Sequence, residues 1–366
     1  MTTSLKRLLL SCVIILFAST LLSACDLPSG TDQKTPADVQ SETSVGDKLT
    51  VYFIDVGQAD STLIVCDESG SGPRSTMLID GGNSSDSNLI YALLKKHSIS
   101  RLDYIVATHA HEDHVGGLAG ALNYASADIA FAPVKTHDSR SFNSFNKYLE
   151  KQGVSITVPK HGDKYKLGSA DFEILGPVNP SNDPNNTSIV IRLIFGKTKF
   201  LFTGDAGRSA EADILENGYD ISADVYKVGH HGSDTSTSYP FLREIMPKHA
   251  VISCGKNNKY GHPHEPLLSR LRDADVKVYR TDLQGTIICT SNGKNLSFKT
   301  DKNTDIQTNP TEKSNAEEAA YIGNVNSRKF HLSNCSGLPI EKNRKIFGKR
   351  SDAVKEGFEP CGRCRP

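Results

Sequence analysis

Short apolar runs recur through residues 48–299, each bounded by polar or turn-forming residues. Their length suits strands, which are predicted at Val51–Ile54, Ser61–Val65, Thr76–Ile79, Tyr104–Ala107, Ile129–Ala132, Phe172–Leu175, Ser188–Leu193 and Lys199–Phe202. Between them apolar residues return at helical spacing. This predicts helices near Asn88–His97, Leu118–Asn123, Ser141–Gln152, Ser209–Glu216 and Pro266–Ala274. Strands and helices mixed in this way specify an α/β domain, and residues 48–299 suffice to bury a sizeable interior. Outside that span the pattern changes. Lys6 and Arg7 precede an apolar stretch, Leu8–Leu22, and residues 26–47 are rich in Ser, Thr, Asp, Pro and Gln. A second polar stretch, 300–319, separates the α/β span from a short C-terminal segment, 320–366.

The chemistry concentrates just after one strand. Thr108–Gly117 reads T-H-A-H-E-D-H-V-G-G, directly after the apolar run Leu102–Ala107. A strand ending in such a cluster delivers several metal ligands from one short loop. His109 and His111, two apart, can grip one cation, and Asp113 and His114, beyond the turn, a second. Gly116 and Gly117 suit a tight turn into the helix near Leu118. Formal charge is balanced, with 42 basic and 42 acidic side chains among 366 residues. Balance argues against nucleic-acid binding by bulk charge but leaves room for a local basic surface.

The H-x-H-x-D-H pattern resembles that of metallo-β-lactamase-fold hydrolases, and other segments extend the resemblance over Leu49 to Ser297. Leu49–Ser61 (L-T-V-Y-F-I-D-V-G-Q-A-D-S) and Met77–Gly82 (M-L-I-D-G-G) resemble the opening strands of the branch that includes the hydrolase domain of the competence protein ComEC. Phe200–Asp205 (F-L-F-T-G-D), Asp224–Ser233 (D-V-Y-K-V-G-H-H-G-S), Lys256–His264 and Val278–Thr286 follow in the same order. The resemblance implies an αββα four-layer sandwich with two divalent ions, zinc or manganese, at one edge. It assigns His109 and His111 to one ion, Asp113, His114 and His230 to the other, and Asp205 as the bridge. His231 beside His230 leaves that choice open by one residue. Asp113 is implied in catalysis, and His262 or His264 suits a general acid.

One departure stands out. Many members of the fold carry a further histidine between the first cluster and the bridging aspartate. Here Asp183–Ser188 reads D-P-N-N-T-S. Asn186 or Ser188 is a candidate to complete the first site, or water does, and fewer nitrogen ligands favour harder ions such as manganese. Asp60, Gln58, Asp80 and Asn83 lie at strand ends where such residues orient ligands, although turn capping explains them equally well. Lys227 and Arg280 are candidate phosphate contacts or solvated surface charges.

Both ends of the chain carry their own signals. Leu22-Ser23-Ala24-Cys25 closes the apolar stretch and resembles a lipoprotein cleavage site. That resemblance implies a signal peptide over 1–25, lipidation of Cys25, and a flexible tether over 26–47 on the outer face of a bacterial membrane. An uncleaved anchor or ordinary secretory signal is the alternative. In the C-terminal segment, F-H-L-S-N-C at Phe330–Cys335 and C-G-R-C at Cys361–Cys364 place His331, Cys335, Cys361 and Cys364 as four soft ligands suited to one structural zinc. The segment resembles the zinc domain of the Ada DNA-repair protein, with His331 in place of a first cysteine. A disulfide between two of the cysteines competes with that reading. From Tyr321 to Pro366 there are ten Lys or Arg against four acids, ten minus four giving +6. Such a module suits DNA phosphates or an anionic wall polymer.

The expected function is therefore a surface-anchored metal-dependent phosphodiesterase or nuclease acting on DNA, with DNA-uptake machinery as a partner. A phosphodiesterase of wall teichoic or choline-phosphate groups, or a non-catalytic DNA- or wall-binding lipoprotein, stand as alternatives.

Overall fold

Alternation along the strands builds three cores from two sheets. The computed structural model describes residues 46–69, 74–310, 321–332, 335–364 and 366, so the expected signal peptide, Cys25 and nearly all of the tether lie outside the described residues. In β1 (Lys48–Phe53), Leu49, Val51 and Phe53 point into one core. In β2 (Thr62–Asp67), Ile64 and Cys66 join that core while Leu63 and Val65 face the opposite way. Side chains of period two thus give each sheet two buried faces.

The first sheet continues with β3 (Ser75–Ile79), β4 (Arg101–Val106), β5 (Ser126–Phe131) and β6 (Ile156–Thr157). The second holds β7 (Lys164–Leu167), β8 (Ala170–Gly176), β9 (Val190–Phe195), β10 (Thr198–Phe202), β11 (Val225–Lys227), β12 (His249–Ile252) and β13 (Lys277–Arg280). β14 (Ile287–Ser291) and β15 (Leu296–Thr300) return to the first sheet, whose order is β15-β14-β1-β2-β3-β4-β5-β6. The second runs β13-β12-β11-β10-β9-β8-β7.

Phe53, Phe172, Phe200 and Phe202 fill the space between the sheets. The outer face of the first sheet is covered by α1 (Ser87–Lys96), α3 (Leu118–Leu122) and α4 (Arg140–Lys151), preceded by the short α2 (Glu112–Val115). The outer face of the second is covered by α5 (Arg208–Glu216), α6 (Tyr239–Ile245) and α7 (Glu265–Asp273). The result is the αββα four-layer sandwich. The predicted strands and helices fall within a few residues of the observed ones. α2, α6, the short α8 (Thr281–Gln284) and the strands β6, β7 and β11 to β15 are additional.

The topology brings the chemistry to one edge. β3, β4 and β5 run parallel, as do β10 to β13, so the loops after their C-terminal ends share an edge of the sandwich. Strand ends are fixed by the core, and the loops beyond them carry side chains.

A third sheet, β18-β16-β17-β19, forms the C-terminal module from β16 (Tyr321–Asn324), β17 (Lys329–Leu332), β18 (Arg344–Phe347) and β19 (Glu359–Pro360). With α9 (Arg350–Lys355) it encloses a small core of Phe330, Phe347, Ala353, Val354 and Phe358. The module docks on α6 and α7. Tyr239 packs against its core, and Arg350 pairs with Asp273 and donates to the Tyr239 hydroxyl at 3.0 Å. Of the expected linker, 301–310 runs along the sandwich, where Asn309 donates to the Leu268 carbonyl, and 311–319 lies outside the described residues.

Candidate metal centre

Four loops converge on a buried cluster. The loop after β4 carries His109 and His111 and turns into α2, whose first residues include Asp113 and His114. Gly116 and Gly117 let this turn press on the loop after β3. A Cβ at Gly117 would stand 2.0 Å from the Gly81 carbonyl oxygen, and one at Gly116 2.3 Å from the Ser84 nitrogen. That approach seats His114 against Asp80. Asp205 follows β10, and His230 and His231 follow β11 with left-handed φ values of 52° and 53°. Non-glycine residues enter that region at a cost, so two in succession mark a turn held to aim its side chains.

Distances define two lobes that share Asp205. His109 Nε2 lies 3.0 Å from His111 Nδ1 and 3.9 Å from Asp205 Oδ2. On the other side, His231 Nε2 lies 3.2 Å from Asp113 Oδ2 and 3.7 Å from Asp205 Oδ2, while His114 Nε2 lies 3.3 Å from Asp205 Oδ1. His109, His114, Asp205 and His231 are buried.

The imidazoles are oriented from behind. Asp80 accepts from the Thr108 backbone N–H, the Thr108 hydroxyl and His114 Nδ1 at 2.7–2.8 Å. Since the Thr108 hydroxyl proton goes to Asp80, its oxygen is free to accept from His109 Nδ1 at 3.2 Å. His231 Nδ1 donates to the Ser253 carbonyl at 3.2 Å. Each Nδ1 proton is thus taken by a fixed acceptor, and each Nε2 lone pair is turned into the cluster. Backing bonds of this kind set the tautomer of a ligating histidine.

The carboxylates draw positive charge into the cluster, as protons on the imidazoles when no metal is bound. Burial disfavours charge on His114, but the carboxylates of Asp205 and Asp80 outweigh it and hold the imidazole well above its ordinary range. Burial likewise opposes His231, yet Asp205, Asp60 and Asp113 raise it to about 10. Asp205 is held well below the carboxylate range, since His114, His231 and His109 overcome its burial. His109 is pushed well below its usual value by burial and by His114. His114 Nε2, His231 Nε2 and Asp205 Oδ1 are buried without a hydrogen bond. Nitrogen lone pairs and carboxylate oxygens that converge without partners are the donor set of divalent transition metals, and the residues fit two such ions.

Not every expected residue reaches the cluster. The geometry groups His231, rather than His230, with Asp113 and His114. His230 Nε2 lies 3.8 Å from Asp205, but its Nδ1 is engaged by the Thr235 hydroxyl and its side chain is 25% exposed. The turn that brings His231 inward sends its neighbour to the rim. We expect His231→Ala to lose metal from the Asp113 side while His230→Ala keeps its metal content, as read by metal analysis of the purified variants.

In the D-P-N-N-T-S segment, Asn186 Oδ1 accepts from Gly207 N–H and Ser188 Oγ from Asp205 N–H. Neither joins the cluster. Asn185, missed in the sequence, lines the same cleft as His111 and Asp205, and its Oδ1 is buried without a partner. Lys227 is neither a phosphate contact nor a solvated charge. It is buried and pairs with Asp60 at 2.8 Å, and Asp60 Oδ1 lies 3.6 Å from His231 Nδ1. Arg280 pairs with Asp282.

The cluster opens to a cleft of about 800 Å³, lined also by Gln58, Asn83, Asn258, Lys259, Tyr260 and His262. Burial and the neighbouring His264, His231 and His230 push His262 down to about 4, so it is neutral at pH 7 and not a ready imidazolium acid. His264 is structural: Nδ1 accepts from the Asp234 backbone N–H and Nε2 donates to the Tyr260 carbonyl.

A second cluster lies in the C-terminal module. The ligand atoms of His331, Cys335, Cys361 and Cys364 all lie within 4.8 Å of one another, the cysteines are free thiols, and His331 Nε2 is buried without a partner. Backbone N–H groups of Gly337 and Arg363 point at Cys335 and Cys361 sulfurs, each at 3.4 Å. Although burial opposes it, backbone N–H groups of Cys364 and Arg363 lower the Cys361 thiol. Three thiols and one imidazole fit a closed zinc site. Cys66, Cys254 and Cys289 are buried, and burial raises their thiols.

Comparison with known proteins agrees with both clusters. Residues 54–256 match the model of the metallo-beta-lactamase superfamily, and residues 307–366 that of the metal binding domain of Ada. ComE operon protein 3 of Bacillus subtilis (strain 168) is 33% identical over 256 residues, covering 65% of this chain and 32% of that protein. Competence protein ComA of Neisseria gonorrhoeae is 29% identical over 241 residues, covering 65% of this chain and 31% of its own length. The chain therefore spans about a third of the length of these relatives. Among solved structures, the metallo-beta-lactamase fold protein YhfI from Bacillus subtilis aligns with a TM-score of 0.41 at 13% identity, over 64% of this chain and 95% of that one.

Proposed function

Because the chain belongs to the metallo-beta-lactamase superfamily, we propose that it is a metal-dependent phosphodiesterase acting on DNA. The observation that carries the reading is the two-lobed cluster sharing one buried carboxylate, Asp205, at the floor of a broad cleft. A cleft of about 800 Å³ with side-chain amides, imidazoles, Lys259 and Glu112 on its walls suits a polar polymer, held through the bound ions, better than a small apolar ligand. The competence-related names of the relatives point to DNA as that polymer.

His109, His111 and Asp205, with Asn185 beside them, would hold one ion, and Asp113, His114, His231 and Asp205 the other. Two divalent ions bound there supply a nucleophilic water near neutral pH and neutralise charge on a phosphoryl oxygen. The chain's own part is to orient. Asp80, Thr108 and Ser253 fix the imidazole tautomers, and the buried Lys227–Asp60 pair backs His231. An amide oxygen from Asn185, in place of a further imidazole, favours manganese at the first ion. The zinc module, net positive, suits added grip on the DNA backbone.

The proposed location is the outer face of a bacterial membrane, through lipidation of Cys25, with DNA-uptake machinery as neighbour. It is supported by Lys6, Arg7, the apolar Leu8–Leu22 and the L-S-A-C sequence. Among the described residues no helix is long and apolar enough to cross a membrane.

The test is hydrolysis of linear and circular DNA and of bis-p-nitrophenyl phosphate by the purified chain, stripped and then reloaded with manganese or zinc. Cleavage of DNA that metal restores and His114→Ala abolishes is expected. Cleavage of the small diester alone would move the substrate to wall phosphodiesters. Absence of any cleavage by metal-loaded protein would overturn the enzymatic reading.

A further inference from the structure

Gln58 lies beyond β1, and its amide bridges Gly255 and His262. Gln58 Oε1 accepts the Gly255 backbone N–H at 2.9 Å, and Nε2 lies 3.2 Å from His262 Nδ1. Gly255 permits this approach, since a Cβ there would stand 2.7 Å from the Gln58 nitrogen. The two contacts settle the polarity of the bridge. A backbone N–H only donates, so the amide oxygen faces Gly255 and the amide NH2 faces the imidazole. An amide NH2 also only donates, so His262 Nδ1 must accept with its lone pair. The proton of the neutral ring then sits on Nε2. An imidazolium would set two donors against each other.

The ring has little freedom to escape this choice. Asn258 Oδ1 accepts the His262 backbone N–H at 3.0 Å, and Asn258 Nδ2 donates to the His262 carbonyl at 2.6 Å. The imidazole is near-parallel to both Tyr260 and His231, at 23° to each, with centroids 5.6 and 6.3 Å away. His262 lines the cleft, and its Nε2 makes no hydrogen bond among the described residues.

We infer that Gln58 is a positioning residue that locks His262 as the Nε2–H tautomer, so that the ring presents a hydrogen-bond donor to an anionic oxygen of the substrate. The identity of that oxygen as phosphoryl rests on the proposed phosphodiesterase activity; the tautomer does not. His262 then holds charge on the substrate as a neutral donor rather than acting as an imidazolium acid. This gives a purpose to two separated segments, the G-Q-A-D turn and the loop from Gly255 to His264, whose contact joins residues 204 apart in sequence.

The test uses zinc-loaded full chain with 15N-labelled histidines, the His262 signals being assigned by their loss in His262→Asn. Long-range 15N–1H correlation at neutral pH is expected to show Nε2 protonated and Nδ1 bare. Gln58→Glu replaces the donor with an acceptor and is expected to draw the proton to Nδ1. Turnover of bis-p-nitrophenyl phosphate should fall roughly 10²-fold, the scale of losing one preorganised donor, with zinc content and melting temperature close to wild type. Gln58→Leu should leave a mixture of tautomers and an intermediate rate. A wild-type ring protonated on Nδ1, or a Gln58→Glu variant with unchanged tautomer and rate, would overturn the inference. Should Gln58→Glu fail to fold, the wild-type and Gln58→Leu spectra decide. If no phosphodiester is cleaved by wild type, the spectra still decide the tautomer, and the failure belongs to the proposed activity.

Discussion

Asp205→Asn is expected to lower kcat/KM on phosphodiesters by roughly 10³-fold, the equivalent of about 4 kcal/mol of lost transition-state stabilisation. The substitution keeps the shape of the side chain and removes its charge. Asp205 faces both lobes, with Oδ1 3.3 Å from His114 Nε2 and Oδ2 3.9 Å and 3.7 Å from His109 and His231. Without its charge, neither lobe holds a divalent ion as tightly, so metal content should fall together with rate. Without metal the same change leaves His114 and His231 short of their main carboxylate, and both should hold their protons less tightly, although Asp80 still faces His114 and Asp60 and Asp113 still face His231. Breaking a buried charge network in this way costs on the order of 3–5 kcal/mol, so the metal-free variant should also melt earlier. Metal analysis, steady-state kinetics and melting curves on the same preparation check all three. Full activity with two ions bound would remove Asp205 from the bridge and sink the two-lobe reading.

How much of this centre the sequence discloses depends on how local each signal is. The T-H-A-H-E-D-H run is legible because four ligands fall on one loop after one apolar strand. The four layers are legible because strands such as β9 alternate, Ile191 and Leu193 facing the inter-sheet core and Val190 the outer one. The choice between His230 and His231 is not, since it is made by left-handed backbone at both residues. Asn185 is hidden for a similar reason: in D-P-N-N-T-S the 3-10 turn decides which amide faces the cleft. Lys227 reads as a lone basic residue because its partner Asp60 lies 167 positions earlier. The docking of the C-terminal module through Arg350 and Tyr239 is equally non-local. Each of these misses depends on backbone torsion or long-range pairing, which periodicity and spacing do not encode.

Removing zinc from the C-terminal module is expected to unfold that module while leaving the sandwich folded. Among the described residues its core holds only Phe330, Phe347, Phe358, Ala353 and Val354, too little apolar surface to offset the ordering of some forty residues. Structural zinc contributes about 10–16 kcal/mol in small zinc-dependent domains, which turns the balance. Cys361→Ser should therefore leave the chain one zinc short, and either that substitution or a strong chelator should expose residues 321–366 to protease. The sandwich should lose stability only modestly, because Asp273 then loses Arg350 and Tyr239 loses its apolar cover. A disulfide among the three cysteines would give a different pattern. Chelation would then spare the module, a reductant would unfold it, and titration would find one reactive thiol instead of three. The free thiols, and the convergence of His331 with all three sulfurs, argue for the first outcome. A disulfide has no use for the imidazole, whereas a four-coordinate ion needs it as the fourth ligand.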